Sequence, residues 1–318
     1  MVSPAGSPTI SPNPCESNEV EPIKQPAKAG DVVLTLHESE DGELDATVEF
    51  TCDEEPHMFK PPFAPGYASL HLGQQLTDLN RGRQPFWEPG PGQGDYEIVR
   101  KLGWGQEASV WLARRLENSS QTSFVAIKIL TSAVTRAIGR KESFELPALF
   151  ALDNGDTNHP GRPYCTLLLD LFVYGDMHGL HYCLVLEPLS LSLEEYVEAE
   201  RSEGRNFGFS MEGLRNIVRQ VLLAVSYAHA TGLVHTDIKS NNIFIGVGLR
   251  NEAIAKYLAE HPSRTYPTRH EPNISSDPII TVMSEPLPPF NLPDRNRLRL
   301  KLGDFGVGAL SFVPFMIT

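Results

Sequence analysis

The sequence predicts an α+β fold of two lobes: a five-stranded antiparallel sheet with one accompanying helix, then a lobe built from helices. Three observations carry it. Residues 96–102 alternate as a strand does, and residues 109–115, 124–130, 166–174 and 181–186 supply four further strand-like runs. Leu214, Ile217, Val218, Val221, Leu222 and Val225 fall at i, i+3, i+4, i+7, i+8 and i+11, a helical stripe behind Ser210 as N-cap. Between the two regions, Ser192-Leu193-Glu194-Glu195 reads as a capping box, where strands give way to helices.

A chain of 318 residues with 41% hydrophobic content can bury one large domain with tails, or two domains. The net charge of -13 is uneven: residues 1–60 hold 13 acidic residues against three lysines, so the body is close to neutral. That excludes the basic footprint of a direct nucleic-acid binder. The four cysteines form no C-x-x-C pair and are expected as reduced thiols of a nuclear or cytoplasmic protein. The N-terminus shows no apolar signal region, and no apolar run approaches the roughly 18–20 residues of a span, so no membrane association is expected.

The chain divides by composition. Residues 1–65 are expected as a disordered acidic tail, with a short strand at 32–36. Residues 66–94 are expected to pack on the domain through Tyr67, Leu70, Leu72, Leu76 and Leu79 before a turn-rich approach. Residues 95–187 form the sheet lobe and 188–245 the start of the helical lobe. Residues 246–297, punctuated by eight prolines, read as an inserted spacer, with a helix at 251–260 and much of the rest mobile. Residues 298–318 close the chain.

Gly103-Trp104-Gly105 lies between two strands, with Ala108 where a third glycine would stand. Such a loop lets backbone N–H groups approach nucleotide phosphates. A helix would follow it in a dinucleotide-binding fold, and none is expected here. The next strand reads Val125-Ala126-Ile127-Lys128. An ammonium there needs a partner, because burying it unpaired is costly. Glu145 is the expected partner and Glu142 the second choice. Pro147, two residues after Glu145, is expected to bend or end the helix that carries it.

His235-Thr236-Asp237-Ile238-Lys239-Ser240-Asn241-Asn242 follows the amphipathic helix, and Gly303-Asp304-Phe305-Gly306 follows a short apolar strand. The H-x-D-x-x-x-x-N spacing is that of the protein-kinase catalytic loop, and D-F-G that of its metal-binding segment. Alone each is weak. In this order, after a glycine loop and a strand lysine, they reinforce one another.

Lys101-Leu102-Gly103-Trp104-Gly105, Val110-Trp111-Leu112-Ala113, His159-Pro160-Gly161-Arg162 and His235-Thr236-Asp237-Ile238-Lys239 resemble the SR-protein kinases in their fungal form. The resemblance covers roughly residues 66–308, including a spacer before the D-F-G strand. It implies a bilobal protein-kinase-like fold, ATP and Mg²⁺ as cosubstrate and metal, and transfer to serine in Arg-Ser-rich splicing factors. It also implies the roles. Leu102, Gly103, Trp104, Gly105, Val110 and Ala126 would enclose the nucleotide. Leu186 would line the back of the adenine pocket, with the backbone of Glu187 and Leu189 facing the ring. Lys128, oriented by Glu145, would hold the phosphates, and Asn242 and Asp304 the metal. Asp237 would act on the substrate hydroxyl, and Lys239 would steady the γ-phosphate. Thr236 stands where an arginine would contact a phosphorylated activation loop, so activation by that contact is not expected.

One departure sets up the alternative. Twelve residues follow Gly306, without an A-P-E motif or later helices. The helical lobe is therefore expected to be incomplete. The competing function is a truncated, inactive kinase fragment that binds nucleotide or a protein partner.

Overall fold

The computed structural model describes residues 32–38, 44–50, 54–59, 64–79, 95–116, 123–140, 142–204, 208–247, 251–271, 275–290, 297–306 and 309–310. Strands β1 (Val32–Glu38) and β2 (Leu44–Phe50) pair antiparallel with Val32 opposite Phe50. The main sheet then assembles from β3 (Gln75–Leu76), β4 (Tyr96–Trp104), β5 (Ala108–Arg115) and β6 (Ser123–Leu130). Two helices follow, α1 (Ser132–Gly139) and α2 (Glu145–Asp153). The sheet closes with β7 (Leu168–Asp176) and β8 (Gly179–Leu186), giving the antiparallel order β3-β4-β5-β6-β8-β7.

The sheet has six strands where five are expected. The extra edge strand comes from the N-terminal extension: Gln75 and Leu76 pair with Glu97 and Tyr96. Tyr67, Leu70 and Leu76 are buried against the sheet, whereas Leu79 is 56% exposed and does not pack as expected. Tyr96, Ile98, Trp111, Ile127, Ile129, Cys183 and Val185 form the apolar layer that this extension covers.

Below the sheet, β9 (Leu189–Ser192) leads directly into α3 (Leu193–Ser202). Ser192 Oγ accepts from the Glu195 N–H at 3.2 Å and Glu195 returns a bond to the Ser192 N–H at 2.7 Å, completing the capping box. Next come α4 (Met211–Ala230), capped by Ser210, then β10 (Leu233–Val234), β11 (Ile243–Gly246), α5 (Asn251–Glu260), β12 (Leu300–Leu302) and β13 (Ala309–Leu310). Strands β12, β11 and β9 make a small antiparallel sheet, and β13 pairs with β10.

Within the segment read as a disordered acidic tail, β1 contains the short strand expected at 32–36, whereas β2 and the burial of Glu54, Glu55, His57 and Phe59 are not expected. Lys101 explains much of this. It is only 1% exposed and bonds Glu54 at 2.6 Å and also Glu55, so the acidic residues neutralise a buried ammonium. Parts of the spacer are packed. Ile279, Val282 and Leu287 are buried, with Val282 among the sheet residues and Leu287 against Leu112, Phe124 and Ile254.

Helix α4 buries one half of the stripe read in its sequence, with Ile217 in the core and Val221 and Val225 packed against it, and leaves the other half exposed. Ile217, Gln220, Ala224, Tyr227 and Ala228 are buried, while Leu214, Val218 and Leu222 are 42%, 54% and 63% exposed. The chain packs on the face set by Tyr227 and Gln220, a face that apolar periodicity alone does not reveal.

Candidate active site

The site grows from Lys128. Its strand places it opposite Val110 on β5 and Leu184 on β8. Its ammonium bonds Glu145 Oε1 and lies 3.4 Å from Asp304 Oδ1. Burial works against the charge on Lys128, but Glu145 and Asp304 outweigh it and hold the lysine above its usual range. Glu145 can do this because α2 begins at it, after Phe144 as cap. Pro147 therefore sits in the first turn, where a missing N–H costs nothing, and the helix runs on past it to Asp153. Glu142 instead pairs with Arg140 at 3.3 Å on the surface.

Sixty-one residues separate Asn242 from Asp304, counting from Ile243 to Gly303, yet strand register joins them. Ile243 on β11 pairs with Leu302 on β12, and the Gly303 N–H donates to the Asn242 carbonyl at 3.0 Å. Gly303 has to be small, since a Cβ there would meet Thr166 Oγ1 at 3.0 Å and Phe244 at 3.1 Å. His235 Nε2 donates to the Gly303 carbonyl at 2.8 Å, and its ring lies 4.6 Å from that of Phe305. So the catalytic loop and the D-F-G segment hold each other.

On the loop itself, Asn242 Nδ2 donates to the Asp237 carbonyl at 2.9 Å and to its carboxylate at 3.0 Å. Lys239 Nζ lies 2.7 Å from the same carboxylate. The Lys239 ammonium holds Asp237 below the usual carboxylate range, and Asp237 in turn raises Lys239. Thr236 and Asp304 both have positive φ, 63° and 57°. That region is uncommon for any residue but glycine and costly for a β-branched one, so the loop stores local strain beside Asp237.

A cavity of about 600 Å³ lies between the lobes, within the usual size range of small-ligand sites. Leu102, Gly103, Trp104, Gly105, Val110, Ala126 and Lys128 form its roof and side. Glu145, Leu186, Glu187, Leu189, Asn242 and Asp304 line it as well. Asp237 and Lys239 are outside this lining, attached to it through Asn242 and Asp237. The glycine loop carries its own hint of a ligand. Gly103 and Gly105 lack positive φ, and an added Cβ at either would touch nothing within 4 Å. Neither backbone conformation nor packing requires glycine there.

Several residues of the site are invisible to motif reading. Glu187 and Pro188, between the end of β8 and the start of β9, form the hinge that joins the lobes; Lys301, on β12, bonds Glu187 and reaches the Cys165 carbonyl at 3.5 Å. Thr166 donates to the Leu302 carbonyl through both its N–H and its hydroxyl, at 2.9 and 3.2 Å. Pro286 and Ser190 also line the cavity. A lysine three residues before D-F-G is the one local signal that could have pointed to the first of these.

The donor set suits Mg²⁺. Among the described residues there is no group of three or more His, Cys, Asp or Glu that could hold a metal. Mg²⁺ takes one or two carboxylates and completes its shell with water and phosphate oxygens. Asp304, 47% exposed at the cavity, with Asn242 beside it, fits that habit.

Residues 96–251 match the family described as "Protein kinase domain". The chain is 36% identical over 167 residues to "Serine/threonine-protein kinase spk-1" of Caenorhabditis elegans, covering 52% of this chain and 16% of that one. It is 33% identical over 197 residues to "SRSF protein kinase 3" of Mus musculus, covering 62% and 30%. It is 34% identical over 152 residues to "Protein kinase dsk1" of Schizosaccharomyces pombe, covering 47% and 26%. The chain thus spans less than a third of the length of these relatives. The α+β bilobal fold and the residues around its cleft define a protein kinase domain. Within that class the sequence is similar to the SR-protein kinases.

Proposed function

We propose that this chain is the nucleotide-binding and catalytic part of an ATP-dependent serine/threonine protein kinase. Its substrates are proposed to be Arg-Ser-rich proteins. The observation that carries the reading is Lys128 held between Glu145 and Asp304 at one cavity with Asn242. Lys128 binds the α- and β-phosphates of ATP, and Glu145 fixes its position. Asp304 and Asn242 hold Mg²⁺, which neutralises phosphate charge when bound. Asp237, kept ionised by Lys239, is a weak base. It therefore orients the serine hydroxyl and takes its proton late, as charge develops on the transferred group. Lys239 places its ammonium beside the γ-phosphate. Positioning and charge neutralisation supply most of the rate in such transfers. The substrate class rests on the name of the mouse relative. A location in cytoplasm and nucleus is proposed on the buried free thiols of Cys165 and Cys183.

A specific observation favours a second reading, a nucleotide-binding fragment without turnover. Met211, Leu214, Val218 and Leu222 leave one face of α4 exposed, and no described element lies there to present a peptide. One experiment separates the two. The full chain is incubated with radiolabelled ATP, Mg²⁺ and an Arg-Ser repeat peptide, beside Asp237→Ala. Transfer lost in the variant supports the kinase. MgATP binding without transfer in either chain supports the fragment.

A further inference from the structure

The spacer supplies part of the nucleotide site. Residues 284–287 cross from the sheet lobe to the strand after the hinge. At one end Ser284 bridges Lys101 in parallel fashion, and the Glu285 N–H donates to the Lys101 carbonyl at 2.9 Å. At the other, Leu287 bridges Ser190, whose hydroxyl donates to the Leu287 carbonyl at 2.7 Å. Leu287 itself is fully buried. Pro286, between the two anchors, is exposed and lines the cavity.

The near anchor is fixed from a third direction. Glu54 accepts from the Ser284 N–H at 2.5 Å and from its hydroxyl at 2.7 Å, and also receives Lys101 Nζ at 2.6 Å. One buried carboxylate therefore joins the N-terminal segment, strand β4 and the spacer.

We propose that residues 284–287 are the outer wall of the nucleotide pocket, that Pro286 excludes bulk on the ribose hydroxyls, and that Glu54 is its positioning residue. The proposal rests on the nucleotide reading above. With adenine against Glu187 and Leu189 and phosphates under Gly103 and Gly105, the sugar joins the two. It must pass between the hinge end and Lys101, just ahead of the glycine loop, which is the gap that residues 284–287 span.

The test compares dissociation constants of the full chain for Mg²⁺-ATP and Mg²⁺-2′/3′-O-(N-methylanthraniloyl)-ATP by calorimetry, for the wild type, Pro286→Ala and Glu54→Gln. The wild type is expected to prefer ATP. The preference should shrink on the order of ten-fold in both variants, the scale on which small apolar contacts discriminate. The reading is a ratio of two nucleotides on one protein, so a general loss of stability does not move it. Glu54→Asp, which keeps the charge, should recover part of the preference. Pro286 is exposed, so Pro286→Ala decides the matter if Glu54→Gln does not fold. A wild type that binds ATP, with an unchanged ratio in Pro286→Ala, overturns the proposal alone. A wild type that binds neither nucleotide overturns the site reading and this proposal together.

Discussion

Gln220, buried on α4, accepts the Leu300 N–H at 2.9 Å and donates to the Leu298 carbonyl at 2.8 Å. One side-chain amide thus ties α4 to the segment that leads through β12 to Asp304. Gln220→Leu keeps the volume but strands the buried Leu300 N–H, at a cost of about 1–3 kcal/mol, and leaves the Leu298 carbonyl with the longer bond from Asn216 Nδ2 at 3.4 Å. The urea midpoint of the variant is expected to fall. An unchanged midpoint would show that water satisfies the strand.

Lys128→Met removes the ammonium that Glu145 and Asp304 hold. Phosphate transfer is expected to fall by about 10²–10³, the usual loss when one group stabilising developing charge is removed. Glu145→Gln leaves Lys128 in reach of Asp304 at 3.4 Å and should cost less. Initial rates at saturating ATP give the order of the two losses. A larger loss for Glu145→Gln would mean that α2, rather than the lysine, governs the site.

Gly161→Ala should destabilise the fold. Its Cβ would stand 1.8 Å from the Leu223 carbonyl oxygen and 2.9 Å from Tyr227 Cβ, on helix α4. Overpacking of this kind costs about 1–3 kcal/mol. Gly139→Ala is the contrast: it ends α1, meets nothing within 4 Å, and should be neutral or slightly stabilising. Melting temperatures that move together for both would contradict the packing argument.

Acid should weaken the fold through His57. Burial, with Lys101 and His178 adding to it, lowers this imidazole from 6.5 to about 4. The folded state keeps it neutral where the unfolded state takes a proton. Its contribution is complete above pH 6.5 and is lost as pH falls towards 4, on the order of 3 kcal/mol in all. Denaturation between pH 4 and 7 should show this slope, and His57→Gln should flatten it. A slope that survives the substitution would assign it to the carboxylates instead.

The exposed stripe of α4 should bind a hydrophobic dye. Met211, Leu214, Val218 and Leu222 are 65%, 42%, 54% and 63% exposed. Val218→Lys with Leu222→Lys should reduce dye fluorescence and leave the melting temperature nearly unchanged. A large fall in melting temperature would show that the face is packed in solution.

Legibility followed the range of the interactions. The strands from 96 to 130, the capping box at Ser192 and the N-cap at Ser210 depend on neighbours a few residues away, and the sequence states them. Pro147 misled because a proline ends a helix from inside but is harmless in a first turn, and only the observed start at Glu145 tells which applies. The acidic run misled because a charged segment reads as solvated until a buried cation is found for it. Lys101 is 46 and 47 residues from Glu55 and Glu54 and shares no local pattern with them.

By itself the sequence determined the candidate inventory: Lys128, Asp237, Lys239, Asn242 and Asp304 are marked by spacing within short motifs, because each motif is one turn or strand with fixed geometry. Tertiary structure alone decided how β11 and β12 bring Asn242 to Asp304. It also decided which face of α4 is buried and that the spacer walls the cavity. These outcomes turn on contacts between distant segments, where burial and charge compensation set the result and local periodicity carries no information.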